Sequence, residues 1–172
     1  MPRTSAIYLI GMMGVGKSTV GARLARKLGR IFIDTDQEVE RKAGRTISEI
    51  FAEEGEESFR RMEAQAVQEA GIDGAVVALG GGAVEQLGAI DRLLEAGEVI
   101  YLKADPTVLL ARIDDAQSRP LLTGLDPDAR LEKLSELLAE RLPLYRQARI
   151  EVDASGTTDQ VVDRIVDALS AG

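Results

Sequence analysis

The sequence predicts an α/β fold, a parallel sheet with helices on both faces. Five short apolar runs rich in β-branched residues, 6–10, 31–33, 75–79, 98–102 and 149–153, read as strands, with amphipathic stretches between them. The first run, Ala6-Ile7-Tyr8-Leu9-Ile10, leads directly into Gly11-Met12-Met13-Gly14-Val15-Gly16-Lys17-Ser18. A helical pattern follows from Thr19 to Leu28 and stops at Gly29. Strand, glycine-rich turn and helix in that order make the first βα unit of such a sheet.

The turn at 11–18 fits G-x-x-x-x-G-K-[ST] without a mismatch. Its glycines let backbone N–H groups turn inward around a phosphate, and the following helix N-terminus adds partial positive charge. Gly14, Val15, Gly16, Lys17, Ser18 and Thr19 are therefore candidate nucleotide ligands, with Lys17 on the outer phosphates and the Ser18 hydroxyl on Mg²⁺.

The second strand runs into Asp34-Thr35-Asp36 at the sheet edge where parallel sheets bind ligands. In an extended segment the two carboxylates share a side. One then holds Mg²⁺ through water while the other accepts a hydrogen bond from a substrate hydroxyl. Alternatively, Asp36 simply caps a helix starting near Gln37. Residues 37–70 read as two or three inserted helices, with Thr46-x-x-Glu49 as a capping box and Gly44 and Gly71 as stops.

Gly80-Gly81-Gly82 follows the third strand and is either a permissive turn or a place where backbone approaches a ligand. Gly97 ends the next helix, and Asp105-Pro106 and Asp126-Pro127 each place a cap before a first-turn proline. Between them, 113–127 is polar and aperiodic, the signature of a lid, and carries Arg119-Pro120-Leu121-Leu122. Arg60 and Arg61 are adjacent on a helix and point about 100° apart, so at most one enters a site. Pro143 kinks or ends the helix carrying Arg141 and thereby aims that arginine inward. Thr157-x-x-Gln160 opens a last helix through Leu169.

Composition excludes several classes. A net charge of −8 offers no basic face for nucleic acid. Absent cysteine and histidine remove disulfides and thiolate or imidazole metal sites, and absent Asn rules out an N-K-x-D guanine reader. Met1-Pro2-Arg3-Thr4-Ser5 leads straight into the first strand, and no apolar run approaches a membrane span. The expectation is one cytoplasmic domain over 1–172, monomeric, with no membrane and no nucleic-acid partner.

Taken together, G-M-M-G-V-G-K-S-T, F-I-D-T-D, I-F-A-E-E-G-E-E-S-F-R, L-G-G-G-A, R-P-L-L and R-L-P-L-Y-R resemble the shikimate kinase family of nucleoside monophosphate kinase-like P-loop proteins. The resemblance spans residue 6 to about 153. It implies a three-layer α/β/α kinase with a five-stranded parallel sheet of order 2-3-1-4-5, a substrate-binding insert at 37–70 and a lid at 113–127. The implied reaction moves the ATP γ-phosphoryl group to the 3-hydroxyl of shikimate. The resemblance makes Lys17, Asp36 and Arg119 catalytic, with Arg119 closing over ATP. It places Asp36, Arg60, Gly80, Gly81, Gly82 and Arg141 on shikimate, and Ser18 and, through water, Asp34 on Mg²⁺. The segment 154–157, where adenine should pack, carries no basic residue. A kinase for another hydroxy acid such as gluconate would share the turn at 11–18 and the lid, and Asp36, Arg60, the triple glycine and Arg141 together discriminate against it. A non-catalytic nucleotide-responsive protein would be expected to lose Lys17, Asp36 or Arg119, and all three are present.

Overall fold

A computed structural model describes residues 5–113 and 119–172. Residues 1–4 and positions 114–118 of the expected lid lie outside the described residues. Five parallel strands, β1 (Ala6–Ile10), β2 (Phe32–Asp34), β3 (Val76–Ala78), β4 (Gly97–Lys103) and β5 (Ile150–Asp153), form a sheet in the order β2-β3-β1-β4-β5. Their register pairs Ile7 with Val76 and with Glu98, and Ile100 with Ile150. All five β1 residues are buried, so both sheet faces are covered. That is why the strands read as unbroken apolar runs rather than alternating ones.

α1 (Lys17–Leu28) and α8 (Thr158–Ser170) lie side by side, joined by Arg23–Asp159 at 3.0 Å and Lys27–Asp163 at 2.7 Å. These pairs are half exposed and contribute little stability, as surface ion pairs do. The remaining helices are α2 (Thr35–Ala43), α3 (Ile47–Glu54), α4 (Glu56–Ala70), α5 (Ala89–Ala96), α6 (Pro106–Arg112) and α7 (Pro127–Tyr145). Both capping boxes form as expected, at Thr46/Glu49 and Thr157/Gln160. Asp126 caps α7 through the Ala129 N–H, whereas Asp105 precedes α6 without a side-chain cap.

Three readings need correction. The helix after β2 begins at Thr35 rather than Gln37, and its cap is Asp34, which accepts the Gln37 N–H at 3.1 Å. Asp36 therefore sits in a helical turn, and strand alternation does not relate it to Asp34. Pro143 does not break α7 at once; the helix runs two residues further, to Tyr145. Beyond 118 the expected lid is not featureless: a 3-10 turn at Pro120–Leu122 sinks Leu122 fully into the core.

Helices α2, α3 and α4 build a small core of their own from Val39, Ile50, Phe59 and Ala66, with Phe51 tilted against Phe59 at 5.1 Å. This second core fixes α4 beside the C-terminal edge of the sheet and so decides which way Arg60 points.

Candidate active site

The C-terminal edge of the strands carries two adjoining cavities. The larger, about 360 Å³, is floored by the turn at 11–18. Gly14 and Gly16 hold φ of 82° and 98°, a region costly for any residue with a Cβ. Gly14 also has no room for one, since a Cβ would lie 2.9 Å from the Leu109 carbonyl. The first turn of α1 has neither a side-chain cap nor an acidic residue, which leaves its N–H groups and its positive end to a bound anion.

Lys17 folds over this turn and donates to the carbonyls of Gly11 at 2.6 Å and Met12 at 2.9 Å. Burial pushes its ammonium down to about 7, and Arg119 and Arg141 push the same way against the opposing charges of Asp36 and Asp34. Anionic phosphates in the cavity reverse that balance and restore a full charge. The Ser18 hydroxyl donates to the Asp34 carboxylate. One hydroxyl and one carboxylate are hard oxygen donors that suit Mg²⁺, which takes its remaining ligands from phosphates and water.

The far end of this cavity is lined by Ala154 and Gly156. No basic residue lies in 154–157, yet Arg112 at the end of α6 reaches there. It donates to the Val15 carbonyl at 3.2 Å and the Gly156 carbonyl at 3.4 Å.

The smaller cavity is lined by Asp36, Arg60, Glu63, Arg119, Arg141 and the glycine turn. Asp36, Gly81 and Arg119 line both cavities and form their junction. Burial raises the Asp36 carboxyl to about 7, aided by the charges of Glu63 and Asp34 and opposed by Lys17 and Arg119. Arg60 is held by Glu63 at 2.9 Å and lies 5.2 Å over the Phe59 ring. Arg61, 69% exposed, points away and pairs with Glu57. Arg141 is 1% exposed; its Nε approaches Glu85 at 3.3 Å without hydrogen-bond alignment, and Nη1 contacts the Met12 sulfur at 3.8 Å.

Each glycine of the turn leaves space for a different charged group. A Cβ at Gly80 would fall 2.6 Å from Asp36 Oδ1 and from Glu63 Oε2. At Gly81 it would meet Arg141 Nη1 at 2.9 Å, and at Gly82 both terminal nitrogens of Arg60 at 2.6 Å. The turn needs glycine for close approach, since none of the three has positive φ. Three buried polar atoms here, Asp36 Oδ1, Glu63 Oε2 and Arg141 Nε, lack any hydrogen-bond partner. Each such orphan costs about 1–3 kcal/mol, so their convergence marks a place that a polar ligand completes.

Every residue assigned to the site from the sequence thus lines one or other cavity, while Arg61 does not. Four contributors escaped that reading. Glu63 sits three residues after Arg60, and that i,i+3 spacing was the available signal. Arg112 and Glu85 reach the site only through long-range packing, and no local signal marks them. Tyr145 is fully buried, stacks on Tyr101 at 4.9 Å and donates its hydroxyl to the Gly81 carbonyl at 2.7 Å.

The model of the family described as shikimate kinase matches residues 13–170. A shikimate kinase of Halorhodospira halophila is 48% identical over 168 residues, which is 96% of this chain and 93% of the relative. The solved shikimate kinase from Acinetobacter baumannii in complex with shikimate aligns at a TM-score of 0.91 and 39% identity, covering 97% of this chain and 93% of that one. A gluconokinase from Sinorhizobium meliloti reaches a TM-score of 0.62 at 18% identity over 99% of this chain and 94% of that one, a likeness of fold alone. With its motifs, sheet order and paired cavities already in place, this chain belongs to the shikimate kinase family.

Proposed function

We propose that this protein transfers the γ-phosphoryl group of ATP to the 3-hydroxyl of shikimate, releasing ADP and shikimate 3-phosphate. The observation that carries this reading is the junction of two unlike cavities at Asp36 and Arg119, one built for an anion at a helix N-terminus and one for a small hydroxy acid. Arg60 and Arg141 hold the shikimate carboxylate, with Gly80, Gly81 and Gly82 lining its pocket. Asp36 takes the proton of the 3-hydroxyl as that oxygen bonds to the γ-phosphorus and the bond to the β-phosphate oxygen breaks. Lys17 and Arg119 receive the charge that develops on the transferring group. Bound Mg²⁺, held by Ser18 and through water by Asp34, neutralises the phosphate oxygens. Helices within 37–70 serve as the substrate-binding insert, and the segment 113–127 as a lid whose closure keeps water from the phosphoryl group.

The protein works as a cytoplasmic monomer. Exposed large apolar residues among the described residues are Ile31, Ile72 and Leu87, and no helix among them is long and apolar enough to cross a membrane. An ADP-release assay with ATP and Mg²⁺, offering shikimate and gluconate side by side, tests the reading. Release with shikimate alone is expected; equal turnover of gluconate would overturn it. Gly82→Ala places a methyl group against the Arg60 guanidinium. It is expected to raise the shikimate KM roughly tenfold or more, with the ATP KM unchanged, in the same assay.

A further inference from the structure

A third cavity, about 530 Å³, lies behind the substrate pocket, between α4, the chain from Leu79 to Ala96 and the middle of β1. Its floor is buried and apolar, made by Leu79, Ala83 and Leu93 together with the ring of Tyr8. Small side chains at Ala64 and Ala89 leave its sides open. A cleft of this size, mostly apolar with a few placed polar groups, has the form of a small-molecule site.

Two polar groups border this cavity. Tyr8 is only 2% exposed and lines this cavity, with the charge of Asp73 acting on its hydroxyl. It sits beside Gly71, where a Cβ would come within 3.2 Å of the phenol oxygen. At the mouth Arg92 donates one nitrogen to the Leu87 carbonyl at 3.0 Å and has no carboxylate partner among the described residues. A hydroxyl at the floor and a guanidinium with donors to spare at the rim suit a ligand with a polar atom at one end and an anion at the other.

We propose that this cleft binds a small flat aromatic carboxylic acid, with its ring on Leu79, Ala83 and Leu93. Its carboxylate meets Arg92, and a ring hydroxyl meets Tyr8. The cleft is coupled to the substrate pocket through α4 and Gln86. Arg60 lies on the same side of α4 as Ala64 and Val67, which line the cleft one and two turns further along the helix. Gln86 lines the cleft and donates to the Arg60 carbonyl at 2.8 Å. An occupant that shifts Gln86 therefore shifts the turn that aims Arg60. The coupling, though not the binding, rests on the assignment of Arg60 to shikimate.

Calorimetric titration of the full chain with 4-hydroxybenzoate, with benzoate as control, tests this under saturating shikimate so that the substrate pocket is filled. Wild type is expected to bind 4-hydroxybenzoate more tightly than benzoate. Tyr8→Phe, which removes one oxygen and keeps the ring, should erase that preference, and Arg92→Ala should weaken both acids about tenfold. In the kinase assay 4-hydroxybenzoate should change the shikimate KM at least about twofold, leave the ATP KM alone, and lose this effect in both variants. No binding under saturating shikimate, or binding indifferent to both substitutions, overturns the site. Binding without a change in shikimate KM overturns the coupling. Failure of wild type to phosphorylate shikimate would instead strike the proposed activity, and the titration would still report on the cleft.

Discussion

Asp36→Asn is expected to lower kcat by roughly two to four orders of magnitude, the range for loss of a positioned proton acceptor, while ATP affinity stays within about twofold. Asparagine keeps the size and the hydrogen-bonding edge of the side chain, so α2 and its cap at Asp34 persist. What it removes is a carboxylate that burial holds near 7 rather than in the ordinary acid range. A base must be ionised to act. The wild-type kcat/KM for shikimate therefore rises with pH up to about 7 and falls roughly tenfold per unit below it. In the variant this acid limb disappears. Steady-state rates across pH and a direct ATP-binding measurement check both parts. An unchanged kcat would remove Asp36 from the chemistry.

Arg141→Ala should raise the shikimate KM by about 100-fold, since a buried, charge-assisted contact to a carboxylate is lost, and should change the ATP KM little. The guanidinium is 1% exposed and has Glu85 at 3.3 Å as its ion-pair partner, yet its Nε makes no hydrogen bond, which leaves donor capacity for a substrate carboxylate. Truncation also leaves a hole beside Met12 and Gly81. Melting temperature measured alongside the kinetics separates lost packing from lost recognition, because packing alone lowers stability without separating the two KM values. Equal losses for both substrates would contradict the assignment.

Much of this arrangement is legible in one dimension because its physics is local. The phosphate turn is a contiguous string whose glycines, lysine and hydroxyl act within one βα unit. The capping boxes at Thr46 and Thr157 are three-residue spacings, and the helix stops are single glycines. Where a reading slipped, neighbouring rules competed. Asp34 and Asp36 are both good caps, and only the point at which β2 ends chose Asp34.

The residues therefore specify, on their own terms, a parallel α/β sheet, a nucleotide cradle and a set of charged groups fit for phosphoryl transfer to a small acid. They do not specify which charges meet. Arg60 from α4, Arg141 from α7 and Asp36 from α2 converge because the small core of Val39, Ile50 and Phe59 seats the inserted helices and three glycines clear the ground between them. Arg112 reaches Gly156 across 44 positions of chain. Periodicity and capping act over a few residues, whereas such meetings depend on how buried surfaces stack, and that is settled only when the helices pack onto the sheet.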